Sequence, residues 1–253
     1  MQLWSAEHAM TLIPAVVLMI AAAAVLRVWI GNKEMKVRMI PFQVLAAVLV
    51  VIEIGKQAVS LSRGYDLYHL PFHFCSLFIF ALPAMSVYRG KHVSIVRGVT
   101  AALCASMTLL LLIYPCLIYS AWDIQNYFND YMAFHTVTFH NIVVFEFILI
   151  VALGLHTPQP KGEPKAAAIF TALFSVVAAS MAHLLKTNYA NFYRCNIPPL
   201  ENLRLAVQDA MGVVPAALLY ALIVTVLQIL FVLMCYWLYR FLRSLFAKTK
   251  MTV

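Results

Sequence analysis

The stretch His69-Leu70-Pro71-Phe72-His73-Phe74-Cys75-Ser76 puts two imidazoles, a thiol and a hydroxyl at the start of an apolar run that continues to about Tyr88. Bilayer hydrocarbon penalises such groups, so a cluster of them is either paired or used chemically. A thiol becomes a strong nucleophile as its thiolate, and a neighbouring base supplies that form. Histidine is the side chain suited to taking the proton near neutral pH. Pro71 suits the first turn of a helix, which predicts Cys75 about one turn inside the helix start, where free N–H groups favour an anion. On such a helix His69 and His73 share a face, while His73 and Cys75 point to nearly opposite faces. The base for Cys75 is therefore sought on another span. His140, stacked one turn beyond Thr136 and followed by Asn141, is the expected partner, which requires the third and fifth spans to touch.

Other polar side chains fall at matching depth: Glu53, Lys56, His135, His183 and Asn188. Glu53 and Lys56 are three apart and lie on one helical face, roughly 12 and 7 Å below the end of their span at 1.5 Å rise per residue. They either neutralise each other, or Glu53 orients a histidine or binds a cation. His69, His73, Cys75, His135, His140 and His183 could alternatively supply three or four zinc ligands. No His-Glu-x-x-His motif occurs, however, and the last apolar span contains no histidine. Gly-x-Ser-x-Gly, P-loop and dinucleotide fingerprints are also missing, so no cofactor is expected.

These residues must be held by membrane helices. The 253-residue chain is 64% hydrophobic and 11% charged, against about 25% charged residues in soluble domains. Seven apolar stretches approach the ~20 residues that a spanning helix needs: 9–30, 40–61, 70–88, 95–119, 135–155, 166–185 and 213–241. The expected fold is an all-α polytopic bundle forming one domain, with no alternation of the β-barrel kind. Thirteen of the 18 Lys and Arg residues flank one set of span ends and five the other. Basic residues mark the cytoplasmic side, which puts the N-terminus outside, the C-terminus inside and the histidine–cysteine cluster in the outer half. The net charge of +8 then reads as topology and anionic-lipid contact, not nucleic-acid binding. The first apolar stretch lacks a basic lead-in and reads as a retained span. Cys104 and Cys235 read as packing residues. Cys116 and Cys195 both fall near the outer face, where a disulfide is conceivable. Residues 157–164 read as a plain polar linker, and 120–134 and 186–211 as the two long outer connections.

Several segments together resemble the YwaF family of bacterial membrane proteins. Leu70-Pro71-Phe72-His73-Phe74-Cys75-Ser76 is similar to that family's Leu-Pro-aliphatic-His-aliphatic-Cys signature. Tyr114-Pro115 resembles its Thr-Pro at the end of the fourth span, and Phe139-His140 its Gly-His in the fifth. Thr187-Asn188-Tyr189 with Pro198-Pro199 resembles its Thr-Asn-Tyr loop. The resemblance implies a bacterial plasma membrane. That family in turn resembles a eukaryotic group of membrane acyltransferases that move fatty acyl chains between phospholipids through a cysteine, which implies that Cys75 could hold the acyl chain.

The leading expectation is a lipid acyltransferase or acyl hydrolase acting on membrane phospholipids. Cys75 would be the nucleophile and His140 the base. Asn188, Tyr189 or Ser76 would donate to the oxyanion, and Arg194 would meet a lipid phosphate. His69, His73, His135, His183, Glu53 and Lys56 would support the pocket. The competing expectations are a proton-linked transporter or small-molecule binding protein, and a zinc-dependent lipid hydrolase. Labelling with a membrane-impermeant thiol reagent tests the orientation: Asn126→Cys should react in intact cells and Gly162→Cys should not, and the opposite pattern would invert the topology.

Overall fold

The fold is known from a computed structural model, which describes residues 3–248. Helix α1 (Ala6–Ile30) leads through the short α2 (Met35–Arg38) into α3 (Ile40–Ser62), and α4 (Phe78–Val87) is followed by α5 (Val93–Ile113). The short α6 (Ala121–Gln125) precedes α7 (Tyr131–Ala152), α8 (Glu163–Leu185), α9 (Pro198–Met211) and α10 (Val213–Lys248). Six of these segments are long and apolar enough to cross a bilayer. A seventh apolar segment, Phe74–Val87, is shorter and combines a 3-10 turn at Phe74–Leu77 with α4. The bundle is all-helical and polytopic, as the apolar stretches predict.

The third span is the one that departs from expectation. Pro71 does not open an α-helix. Residues 70–73 stay extended or turned, and the α-helix begins only at Phe78. Cys75 thus sits in a 3-10 turn at the mouth of α4, and the opposite-face argument against His73 loses its basis. Non-helical backbone at membrane depth is tolerated where it lines a cavity or is covered by protein.

Helix α5 is the centre of the bundle, packed by α4, α7, α8 and α10. Gly98, Ala101, Ala102 and Ala105 are buried on it, and such small residues let neighbouring backbones approach closely. Helix α7 fills the space between α1, α3 and α5. Its start is fixed by Asp130, whose carboxylate accepts from the backbone N–H groups of Met132 at 2.7 Å and Ala133 at 3.3 Å. Arg63, at the end of α3, donates to the same carboxylate at 2.9 Å. One residue therefore caps α7 and ties it to α3. Helix α9, read from the sequence as plain connection, is amphipathic and has no buried residue; it suits the membrane interface.

Partial burial would raise the Asp130 carboxyl, but the Arg63 hydrogen bond and the two backbone donors outweigh it and hold the group below the ordinary aspartate range. A depressed carboxyl contributes stability that is present above its unfolded pKa and lost as pH falls through the folded value. Asp130→Ala should therefore cost about 1 kcal/mol at pH 7, the usual worth of an N-cap. The gap between variant and wild type in thermal unfolding should close as pH drops below about 4. A gap independent of pH would show that the carboxylate is not the stabilising group.

Candidate functional site

A cavity of about 310 Å³ opens at the end of the bundle where α3 finishes and α7 begins. Glu53 and Lys56 of α3 line it, together with Tyr68, His69, His73, Cys75 and Ser76 from the entry of the third span. Met107 and Leu110 of α5 and His135, Thr136, Phe139 and His140 of α7 complete the wall, and Asn188, Ala190, Asn191 and Asn196 cover it. Of the residues singled out from the sequence, the structure brings Cys75, His140, His73, His69, Glu53, Lys56, His135, Ser76 and Asn188 to this one space.

Three of the histidines are held in defined tautomers. His140 Nδ1 lies 2.6 Å from the carbonyl of Thr136, one turn back on α7. A carbonyl only accepts, so Nδ1 carries the hydrogen and, in the uncharged ring, Nε2 keeps its lone pair. The same reasoning applies to His73, whose Nε2 donates to Tyr68 O at 3.0 Å and leaves Nδ1 with the lone pair. His135 Nε2 donates to Glu53 Oε2 at 2.8 Å. Glu53 therefore does orient a histidine, and it also pairs with Lys56 Nζ at 2.7 Å and accepts from Gln57 Nε2 at 2.8 Å. Gln57 in turn donates to His69 O at 3.0 Å and accepts from the Tyr65 hydroxyl at 2.7 Å. His69 Nδ1 and Ser60 Oγ are 2.7 Å apart. Burial holds the His69 imidazolium below the usual histidine range. Among the described residues, no hydrogen bond links Cys75 to a histidine, so the Cys75–His140 pair shares a cavity without direct contact of that kind.

Three expected residues sit differently. Tyr189 is fully buried, its hydroxyl committed to the Leu67 carbonyl and its ring edge-on to His73 at 5.3 Å. It lies behind the cavity lining and has no hydrogen to spare for an oxyanion. His183 is exposed and packs against the Tyr193 ring at 5.6 Å, away from the cavity. Arg194 is exposed and is not among the lining residues; its backbone N–H donates to Asn188 Oδ1 at 3.0 Å. Asn188 also accepts from Tyr193 N at 3.2 Å, so it organises the covering loop. From α10, Gln228 donates to Ala190 O at 3.3 Å and Tyr220 to Asn191 O at 2.8 Å. Ala190 (φ 47°) and Asn191 (φ 65°) are left-handed. That conformation costs a residue like alanine roughly 1–2 kcal/mol, and the neighbouring contacts hold it.

The zinc alternative lacks a ligand set: among the described residues no three His, Cys, Asp or Glu side chains lie close enough to hold an ion. Cys116 and Cys195 are free thiols, not a disulfide; Cys116 Sγ instead lies 3.7 Å from His8 Nδ1.

Two buried carboxyls escaped the sequence reading. Glu163, within the stretch taken for a linker, accepts from His156 Nε2 at 2.9 Å, Ser94 Oγ at 2.7 Å, Tyr236 OH at 2.9 Å and Gln159 N at 2.8 Å. Gly98 makes room for it, since a Cβ there would come 2.5 Å from Glu163 Cδ. This group locks α5, α8 and α10 together. Glu146 of α7 is fully buried and, among the described residues, has no hydrogen-bond partner on either oxygen. The rule that picked out Glu53, an acid inside an apolar span, would have found it.

Fold and site together define a polytopic helical membrane protein with a polar, histidine-rich cavity at one end. The sequence profile of the TMEM164 family matches residues 3–241, so the chain belongs to the TMEM164 family. That is the name the match carries, where the short motifs suggested YwaF. Neither a curated protein nor a solved structure matches the chain.

Glu53→Ala tests the network. It strands Lys56 and His135 in a part-buried site, and breaking such a pair costs about 3 kcal/mol. A clear fall in the detergent-solubilised unfolding temperature is expected, with Glu53→Leu/Lys56→Met recovering much of it. Glu53→Ala as stable as wild type would mean that water already serves these groups.

Proposed function

We propose that this protein is an intramembrane lipid acyltransferase or acyl hydrolase with Cys75 as nucleophile. The observation that carries the reading is the convergence of the one cavity-lining thiol with His73, His135 and His140, each of which has one ring nitrogen fixed by a donor bond and the other free. Support also comes from the order of the YwaF-like motifs and their likeness to cysteine acyltransferases.

In the first half-reaction His140 Nε2 takes the Cys75 proton, and Sγ attacks the ester carbonyl of a phospholipid. The C–O bond breaks, and the leaving alkoxide takes the proton back from the imidazolium. A thioester remains on Cys75. In the second half, a lipid hydroxyl or water gives its proton to the same imidazole and attacks the thioester, and the thiolate leaves and is reprotonated. Ser76 and Asn188 remain the oxyanion donors to test, because the Tyr189 hydroxyl is spent. Lys56, with hydrogens beyond the one given to Glu53, is a further donor at the wall. His135, held by Glu53, has the orientation of a base steadied by a carboxylate and is the alternative to His140.

A second reading, proton-linked transport or small-molecule binding, draws on Glu146, a buried carboxyl on the helix that carries both candidate bases. The two readings differ in covalent chemistry. Purified protein in native lipid should carry an acyl mass that hydroxylamine removes and that Cys75→Ala lacks, while Cys104→Ala and Cys235→Ala keep it. Loss of the base should slow adduct formation by about 10²–10⁴-fold. If His135→Ala has that effect and His140→Ala does not, the base role moves to His135. An adduct that persists in Cys75→Ala, or none in wild type incubated with phospholipid, would sink the enzyme reading.

A further inference from the structure

The opposite end of the bundle carries a polar feature that the cavity chemistry does not use. The last carbonyls of α7 and the turn after it collect guanidinium groups from four other segments. Arg243 Nη1 donates to Val151 O at 2.9 Å and Arg27 Nη1 to Ala152 O at 3.3 Å. Arg38 Nη1 donates to Leu153 O at 2.8 Å and Arg97 Nη1 to Leu155 O at 3.4 Å. In part this is a helix cap, since terminal carbonyls lack intrahelical donors. Yet a helix C-terminus carries only about half a negative charge. Four cations converge on it, and among the described residues none of the four has a carboxylate partner.

The unused edges of these side chains say what is missing. Arg38, Arg97 and Arg243 each spend Nη1 on a carbonyl, and in all three the Nε is buried without a hydrogen-bond partner among the described residues. Nε and Nη2 form the edge of the guanidinium that grips an oxyanion with two parallel bonds. Buried polar atoms are partnered roughly nine times in ten, so three orphaned donors on one cluster call for an acceptor. Gly154 (φ 60°) lies beside two of these groups: a Cβ there would come 3.4 Å from Arg243 Nη2 and 3.5 Å from Arg38 Nη1, and its carbonyl is 3.4 Å from Arg38 Nη1.

We propose that Arg38, Arg97 and Arg243 form a binding site for a phosphate group at the end of α7 opposite the Cys75 cavity. A tetrahedral phosphate offers enough oxygens, in enough directions, to meet three forks at once, which a single planar carboxylate does not. The site lies where spanning helices end, at headgroup level, so its phosphate belongs either to an anionic lipid or to a free phosphate of the aqueous phase. Occupied, it joins α2, α5 and α10 through one anion to the end of the helix that carries His135 and His140.

The test uses full-length protein in uncharged detergent, with native mass spectrometry and thermal unfolding as readouts. The probes are phosphatidylglycerol, phosphatidylcholine and inorganic phosphate. Phosphatidylglycerol should be retained and should raise the unfolding temperature, and phosphatidylcholine should do neither. Stabilisation by inorganic phosphate alone would keep the site and assign it to a free anion. Arg97→Gln and Arg38→Lys should each weaken retention about tenfold, because lysine keeps the charge but not the paired bonds. Arg240→Gln should bind as wild type; its guanidinium lies 5.0 Å over the Trp237 ring, outside the cluster. Equal retention of the two lipids with no response to phosphate would overturn the proposal. So would unchanged binding in Arg38→Lys, or an equal loss in Arg240→Gln, which would mark general surface attraction. If Arg97→Gln fails to fold, the wild-type lipid series and Arg38→Lys still decide.

Discussion

The carboxylate of Glu53 sets the register on which the cavity end of the bundle depends. Hydrocarbon offers it no donors, so every partner must come from the protein. Lys56 and Gln57 lie on its own helix, but His135 lies on α7, and that bond fixes how far α3 and α7 slide past each other. Gly55 makes the contact close: a Cβ there would come 2.0 Å from the Tyr131 hydroxyl, which donates to Ile52 O at 3.0 Å. Asp130 and Arg63 repeat the link where α3 ends and α7 begins. Two helices tied at three levels form a rigid wall, and that wall bears the histidines.

The same economy explains the irregular entry of the third span. Residues 67–77 form only two short 3-10 turns, and three of their carbonyls accept from side chains. His69 O takes Gln57, Tyr68 O takes His73, and Leu67 O takes Tyr189. The first two of these bonds hold His69 and His73, which line the cavity. The segment between α8 and α9 is held in turn by Gln228 and Tyr220 of α10. A cysteine presented on a short 3-10 turn between such braces faces the cavity with little freedom of its backbone.

The sequence made the spans legible because bilayer thickness dictates their length, and made most of the cavity legible because a polar group in an apolar run stands out. It failed where burial is decided by distant residues. Glu163 sits among Pro160, Lys161, Gly162, Pro164 and Lys165, a local composition that reads as solvated linker. Its burial follows from Gly98 on α5 and Tyr236 on α10, which no local pattern reveals. The third span failed differently. Proline at N1 and irregular backbone before a later helix look alike in sequence, and Gln57 and Tyr189 decide between them through the carbonyls they bind. His183 failed because depth along a span says nothing of which face a residue takes. Gln57, Tyr131 and Gly55 were passed over since none is ionisable, although they hold the ionisable ones in place.

The tautomers bear on how such a site would work. His73, His135 and His140 each give one N–H to a fixed acceptor, so each uncharged ring keeps a single lone pair in a direction set by the fold. For His140 and His73 that acceptor is a backbone carbonyl, which steadies a ring that gains a second proton only through its dipole. For His135 it is the Glu53 carboxylate, which carries a full charge, but Lys56 already shares it. Moving Lys56 away would leave Glu53 to His135 and Gln57 alone. The position of Lys56 and the orientation of His135 are thus coupled through one carboxylate, on the same helix that carries Gly55 and Gln57.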